Sequence, residues 1–190
     1  MLKNFFTFAF DLIKIIVISL AIIMPVRYFL IQPFYVKGAS MEPNFHDHEY
    51  LIIDEISYRL KEPQRGDIIV FRYPKNPQEY FIKRIIGLPG EKIQVKNGEV
   101  IIYNDEYPNG LVLDEEYLPV DTKTYSLNEE AIEIGSGDDE EYYVLGDNRN
   151  ASKDSRSFGA VEESFIVGKV LFRGWPFSEM GFFETQQYDY

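Results

Sequence analysis

A serine and a lysine in this 190-residue chain stand in local settings that suit nucleophilic catalysis. Ser40 follows a Gly-Ala pair, which lets another backbone approach closely, and Pro43 stiffens the turn behind it. Lys83 lies within the largely apolar run 80–86. If residues two positions away share its face, the amine points where apolar side chains do, and desolvation can lower its pKa to about 7–8. A neutral lysine can take the proton of a serine hydroxyl, so the pair predicts a Ser/Lys dyad.

Each residue has an ordinary interpretation when it is taken alone. A serine in a turn commonly forms the turn or caps a helix, and a lysine on a half-exposed strand commonly points to solvent. Lys83 gains its significance only through its pairing with Ser40.

Other nucleophile systems have little support in the sequence. His46 and His48 are the only histidines, and we expect them in a solvent-exposed turn rather than in a catalytic triad. A His-x-His pair without a third ligand is weak support for a metal site, so we predict no metal and no cofactor. The absence of cysteine excludes a thiolate nucleophile and a disulfide framework.

Composition favours one β-rich domain with one membrane segment. Aromatic residues make up 16% of the chain and suit strands better than a helical bundle. The net charge of −12, with no stripe of basic residues, argues against nucleic-acid binding. Apolar runs bounded by Gly and Pro predict strands at 34–37, 50–53, 67–71, 80–86, 92–95, 99–102, 142–145 and 166–172.

The inserted region between these strands has two parts. The Asn97-Gly98 turn predicts a hairpin between 92–95 and 99–102, because both turn positions require positive φ. The acidic segment 104–139 predicts a peripheral loop or cap. We therefore expect a small insert, about 94–141, on the catalytic domain.

The segment 12–31 predicts a single transmembrane helix. Twenty residues at helical rise cover about 30 Å, the thickness of the hydrocarbon core. A cleavable signal is the alternative, but a bulky run follows here where small residues would be expected. We expect Tyr28, Phe29 and Phe34 at the outer interface. Lysine and arginine are nearly balanced on the two sides, so charge alone does not determine the orientation.

Four ordered segments, 40–43, 66–71, 83–91 and 146–156, together with the preceding anchor and the closing Trp175-Pro176, resemble bacterial type I signal peptidases (the leader peptidase family). Each segment is a weak signal alone, but four in order after a membrane segment are specific. The resemblance spans nearly the whole chain. It implies a mainly β protein in which a transmembrane helix precedes an all-β catalytic domain.

The resemblance also implies a function and a place in the cell. Such a protein is a membrane-bound serine endopeptidase that removes signal peptides from exported preproteins. We expect residues 1–11 in the cytoplasm and residues 32–190 on the outer face of a bacterial cell membrane, in contact with lipid. The sequence does not indicate an oligomeric state.

Site roles follow from the same resemblance, position by position. Ser40 is implied as nucleophile and Lys83 as base, with Ser152 orienting the lysine amine. Supporting charged residues are implied at Asp154, Arg156, Arg84 and Asp147, for which ordinary surface charge is the alternative.

Substrate recognition is expected from an extended peptide whose side chains alternate. Positions −1 and −3 then face one wall, where shallow pockets would favour small residues. By resemblance the pockets are lined by Met41, Phe45, Phe81 and Ile82, although these residue types suit a core equally well. Some relatives carry a hydroxyl residue at the position of Gly38. Backbone N–H groups, including that of Ser40, must then stabilise the oxyanion.

Three competing classes share some of these features. A self-cleaving repressor-type Ser/Lys protease would bring a DNA-binding module or work in the cytoplasm, which fits neither the apolar anchor nor the charge. A membrane-tethered binding module with a degenerate site would not need intact Ser40, Lys83 and Ser152. A penicillin-interacting enzyme would carry lysine where this chain has Pro43.

Overall fold

A computed structural model of the chain describes the backbone of residues 2–29, 31–137, 140–183, 185, 186 and 188, and the side chains of these except 2–5, 25–29, 31 and 32. It contains a long N-terminal helix followed by a mostly β domain, which confirms the predicted fold class. Within these described residues, the helices are α1 (Leu2–Phe29) and α2 (Ser155–Phe158), and 3₁₀ turns lie at Ser57–Arg59, Glu163–Phe165 and Phe177–Glu179. The strands are β1 (Ile31–Tyr35), β2 (Tyr50–Asp54), β3 (Ile68–Tyr73), β4 (Asn76–Gly87), β5 (Lys92–Lys96), β6 (Glu99–Tyr103), β7 (Leu111–Val112), β8 (Ile132–Glu133), β9 (Glu141–Leu145), β10 (Val161–Glu162), β11 (Ile166–Trp175) and β12 (Gly181–Phe182).

Helix α1 differs in its limits from the predicted segment 12–31. It begins ten residues earlier because the apolar, aromatic residues before position 12 include no Gly or Pro to interrupt it. It ends before Ile31, which pairs with Asp54 as an extended strand, and the Gln32-Pro33 step disfavours helix there. The stretch Phe6–Met24 is long and apolar enough to cross a membrane. The expected interfacial positions of Tyr28 and Phe29 lie outside the described side chains.

The main sheet carries both candidate catalytic segments, on strands that are not neighbours within it. Its order is β1-β2-β11-β3-β4-β9-β10, with β12 on β11, and every pairing is antiparallel. The chain continues from β1 directly into the turn that carries Ser40. Strand β4, which carries Lys83, lies inside the sheet between β3 and β9. Each of the eight strands predicted from apolar runs is present, with shifted ends.

The insert forms a second, four-stranded sheet in the order β7-β6-β5-β8. The predicted hairpin β5–β6 turns at Asn97 and Gly98, both at positive φ (54° and 86°). We call residues 92–141 the cap, two residues longer at its start than predicted. The segment 104–139, predicted to be wholly peripheral, supplies Leu113 and Ile134 to a core shared with the main sheet, because β6 and β5 leave one apolar face to cover.

Candidate active site

The two predicted catalytic side chains meet in the structure. Lys83 Nζ lies 2.7 Å from Ser40 Oγ, within hydrogen-bonding distance, although the residues are 43 positions apart. The amine also donates to the carbonyl oxygen of Ile82 at 2.7 Å. Strand β4 positions Lys83 opposite Ile69 of β3, in the buried half of the strand.

Burial changes the chemistry of this amine. The Lys83 side chain is only 3% exposed, so the predicted inward orientation holds. Desolvation lowers the pKa of Lys83 from 10.5 to about 8, while the negative charges of Asp154 and Asp147 act in the opposite direction. With a pKa of about 8, roughly a tenth of the amine is neutral at pH 7, and this fraction can accept a proton.

The turn that carries Ser40 is held from two sides. Gly38 has φ of +91°, which only glycine adopts readily, and its N–H donates to Asp47 Oδ1 at 2.9 Å. On the other side, the Asn148 N–H donates to the Ser40 carbonyl at 3.0 Å, and Asn148 Nδ2 donates to the Ala39 carbonyl at 3.0 Å. These bonds fix the serine against the loop 146–156, which we call the catalytic loop.

The supporting charged residues form two ion pairs in which Arg84, Asp147 and Asp154 are buried and Arg156 is partly buried, so they are not ordinary surface charges. Arg84 makes a bidentate contact with Asp147, at 2.9 and 2.7 Å, beside the strand position of Lys83. The carboxylate of Asp154, which is fully buried, accepts hydrogen bonds from Nε and Nη2 of Arg156, both at 2.8 Å. It also accepts one from the Gly146 N–H at 3.1 Å. The pairs fix both ends of the catalytic loop.

Ser152 lies at the site without the predicted bond to the lysine amine. Its Oγ is buried and has no hydrogen-bond partner among the described residues. A Cβ on Gly146 would come within 2.1 Å of Ser152 Oγ and 2.5 Å of the Ser40 carbonyl oxygen. Glycine at position 146 therefore lets Ser152 and the serine turn approach each other closely.

A cleft of about 750 Å³ opens onto the dyad. One wall is formed by residues 33–40 and the other by residues 79–83, including Phe81 and Ile82 as predicted. Met41 and Phe45 do not line it, which corrects the prediction for these two residues. They are 1% and 0% exposed and pack in the core behind the serine turn, because the chain folds inward after Ser40.

The two histidines contact side chains close to them in the fold. His48 contacts Tyr35 OH and lies 3.2 Å from Asp47 Oδ2, and His46 lies 3.8 Å from Glu42. Within the described residues, no group of three or more His, Asp or Glu side chains is arranged to hold a metal ion.

A network that joins the cap to the catalytic loop was not predicted. Arg149, buried at 4% exposure, donates to both oxygens of Glu115 at 2.7 and 2.5 Å and to Tyr117 OH at 3.0 Å. The Tyr117 ring lies 3.9 Å from the Arg84 guanidinium carbon. Asn44 Nδ2 donates to both the Tyr117 carbonyl and Asp147, at 3.0 and 2.9 Å. Only the position of Arg149 inside a family-like segment signals this role in the sequence.

A serine hydroxyl against a desolvated lysine, both lining one cleft, is an arrangement that suits hydrolysis by nucleophilic catalysis. Comparison with known proteins agrees with that class. Residues 9–175 match the family model "Signal peptidase, peptidase S26". The chain is 38% identical over 178 residues to a "Probable signal peptidase I-2" of Synechocystis sp., with 90% of this chain and 75% of that protein covered.

Two further matches are similar. "Signal peptidase IB" of Staphylococcus aureus is 37% identical over 179 residues, covering 86% of this chain and 88% of that protein. The crystal structure of a signal peptidase I from Enterococcus faecalis V583 is 33% identical, with a TM-score of 0.46 over 58% of this chain and 97% of that one. The chain therefore belongs to the signal peptidase family, peptidase S26, a family of serine proteases that cleave signal peptides.

Proposed function

We propose that this chain is a membrane-anchored serine endopeptidase that removes signal peptides from exported preproteins with Ser40 and Lys83 as its catalytic dyad. The observation that carries the proposal is the 2.7 Å contact between Ser40 Oγ and a lysine amine that is buried and has a lowered pKa. Family membership supports the reaction class.

The reaction proceeds by acyl transfer. Neutral Lys83 takes the Ser40 proton as Oγ attacks the scissile carbonyl carbon, and the carbonyl oxygen becomes an oxyanion. The Gly38 N–H is already engaged by Asp47, so the Ser40 N–H is the backbone donor assigned to that oxyanion. When the intermediate collapses, the C–N bond breaks and Lys83 gives its proton to the leaving amine. Water then attacks the ester, Lys83 accepts its proton, and the signal peptide is released as a carboxylate while Ser40 recovers its hydrogen.

The cleft accounts for recognition of an extended substrate. The residues before the scissile bond lie between 33–39 and 79–82, where main-chain hydrogen bonds of the strand-addition kind provide affinity. Alternate side chains at −1 and −3 face the same wall, which includes Phe81 and Ile82, so small residues fit best. Ser152 is assigned to orient the amine once substrate is bound.

The anchor places this site at a membrane surface. Helix α1 spans the bacterial cell membrane once, with the N-terminus in the cytoplasm and the catalytic domain on the outer face. Only 15 residues separate Met24, the last of the apolar stretch, from Ser40, which keeps the dyad near the interface where a signal peptide emerges.

The proposal is tested by processing of a preprotein by the full-length protein in detergent or vesicles. Ser40→Ala and Lys83→Ala are each expected to abolish cleavage, because each removes one half of the dyad. The controls His46→Ala and His48→Ala are expected to cleave at the wild-type rate. Full activity of Lys83→Ala would contradict the proposed mechanism.

A further inference from the structure

A second cleft, of about 340 Å³, lies against the catalytic loop and has no part in the mechanism above. Its walls come from two segments that are distant in sequence. The catalytic loop contributes Asn150, Ser152 and Arg156, and the cap contributes Tyr125, Ser126 and Leu127. The cleft is therefore built jointly by the active site and the insert.

This second cleft is adjacent to the dyad. Ser152 lines it, and Ser152 and the Ser40 carbonyl crowd the same position above Gly146. The sequence neighbours of Ser152, Ala151 and Lys153, line the first cleft instead. The catalytic loop thus borders both clefts, with Ala151 and Lys153 on the first and Ser152 on the second.

The direction in which the substrate chain runs past Ser40 determines which part of the substrate each cleft can bind. The walls of the first cleft are residues that precede Ser40 and Lys83 along the chain, and under the proposed function they hold the residues before the scissile bond. The residues after that bond must leave on the opposite side of the dyad. The second cleft is the concave surface on the far side of the catalytic loop.

The cap rim of the second cleft presents apolar side chains that the fold does not bury. Leu127 is fully exposed and Tyr125 is 66% exposed. The segment that bears them is nonetheless anchored: Thr124, 2% exposed, donates its N–H to the Gly98 carbonyl at 3.0 Å, and Arg156 Nη1 donates to the Tyr125 carbonyl at 3.1 Å. Exposed apolar groups on a fixed segment suit contact with an extended peptide, because little additional ordering is needed on binding.

We propose that this second cleft binds the first residues of the mature protein, downstream of the scissile bond, with Leu127 and Tyr125 as its apolar contacts. The inference rests on the proposed function and adds a binding surface to it. Leu127 and Tyr125 are then determinants of specificity for the mature part of the preprotein, and they take no part in the bond-making steps.

The test compares two peptide substrates with identical residues before the scissile bond. One carries two residues after it, and the other carries ten residues of a mature protein with apolar side chains among the first five. Leu127→Ser and Tyr125→Ser in the full-length protein are expected to lower kcat/KM for the long peptide by about tenfold, mainly through KM, because an apolar contact is lost. Leu127→Met is expected to keep the wild-type value, since it stays apolar.

The short peptide and a control variant make the result decisive. Both serine variants are expected to cleave the short peptide at the wild-type rate. Val120→Ser, which alters a fully exposed apolar residue of the same cap segment outside the cleft, is expected to leave both peptides unaffected. Equal losses on both peptides, or no loss on either, would overturn the inference. Failure of the wild-type protein to cleave the short peptide would instead contradict the proposed function.

Discussion

Lys83 has two measurable properties at the scale of single residues, its reactivity and its effect on folding. Its lowered pKa arises from burial, and burial of an ionisable amine carries a cost in the folded state. Below about pH 8 the Lys83 amine is protonated in both the folded and the unfolded chain, so the free-energy cost of burying its charge is fully present. Above pH 10.5, the ordinary value, both have lost it and the cost disappears.

Stability should therefore rise with pH through this window in the wild type and less so in Lys83→Met. The free energy of unfolding of the wild type, relative to Lys83→Met, is expected to increase by an amount on the order of 3 kcal/mol between about pH 7 and 11. Urea unfolding in detergent at a series of pH values measures it. A difference between the two proteins that is constant with pH would show that Lys83 titrates normally.

Sequence reasoning at this scale reached the dyad, misplaced two apolar residues and missed one arginine. Ser40 and Lys83 were accessible only as a pair, because each residue alone has an ordinary interpretation and the chemistry comes from the combination. Met41 and Phe45 were misplaced because apolar side chains beside a serine suit a pocket or a core equally, and only the inward fold of the turn decides. Arg149 was missed because its partner Glu115 lies in a segment that looks like solvated acidic loop.

The buried pair between β4 and the catalytic loop is the feature to test at the scale of elements. Arg84 is 4% exposed and Asp147 is 2% exposed, so removing the carboxylate leaves an uncompensated buried charge. Asp147→Ala is expected to lower the free energy of unfolding by about 3–5 kcal/mol.

A surface pair provides the matched control for that measurement. Lys92 and Glu133 form a 2.6 Å ion pair between β5 and β8, but both side chains are mostly exposed. Glu133→Ala is expected to leave the melting temperature essentially unchanged, because solvent screens such pairs. A similar effect of the two substitutions in thermal or chemical unfolding would contradict the structural role assigned to Asp147.

The predictability of the elements follows their length and periodicity. The eight strands whose apolar or alternating pattern extends over four or more residues were found, and the Asn97-Gly98 turn set the hairpin register. Strands β7, β8, β10 and β12 are two residues long each and carry too short a pattern to be detected. Helix α2 is a single turn that depends on the Asp154 cap, whose side chain accepts the Arg156 N–H.

The whole molecule combines an apolar helix with an acidic domain, and its orientation is the property that sequence left open. Because lysine and arginine are nearly balanced on the two sides of the predicted membrane segment, only family resemblance indicates which side carries the domain. The absence of cysteine makes orientation simple to measure, since a single introduced thiol is the only one in the chain.

A membrane-impermeant maleimide is expected to label Glu130→Cys in intact cells and Asn4→Cys only after permeabilisation. Glu130 is an exposed residue of the cap, and Asn4 precedes the apolar stretch. Processing activity of both variants controls for correct insertion. Labelling of Asn4→Cys but not of Glu130→Cys in intact cells would reverse the proposed topology.

The pH dependence of kcat/KM for a short peptide tests the central claim most directly, because it reports the protonation of the free enzyme's essential base. With Lys83 as base, activity is expected to rise with pH and to level off above about 8, in wild type and in the His46→Ala, His48→Ala double variant alike. A rate that does not change between about pH 6 and 10, or a midpoint near the ordinary histidine value of about 6.5 that disappears in the double variant, would contradict a neutral lysine acting on Ser40.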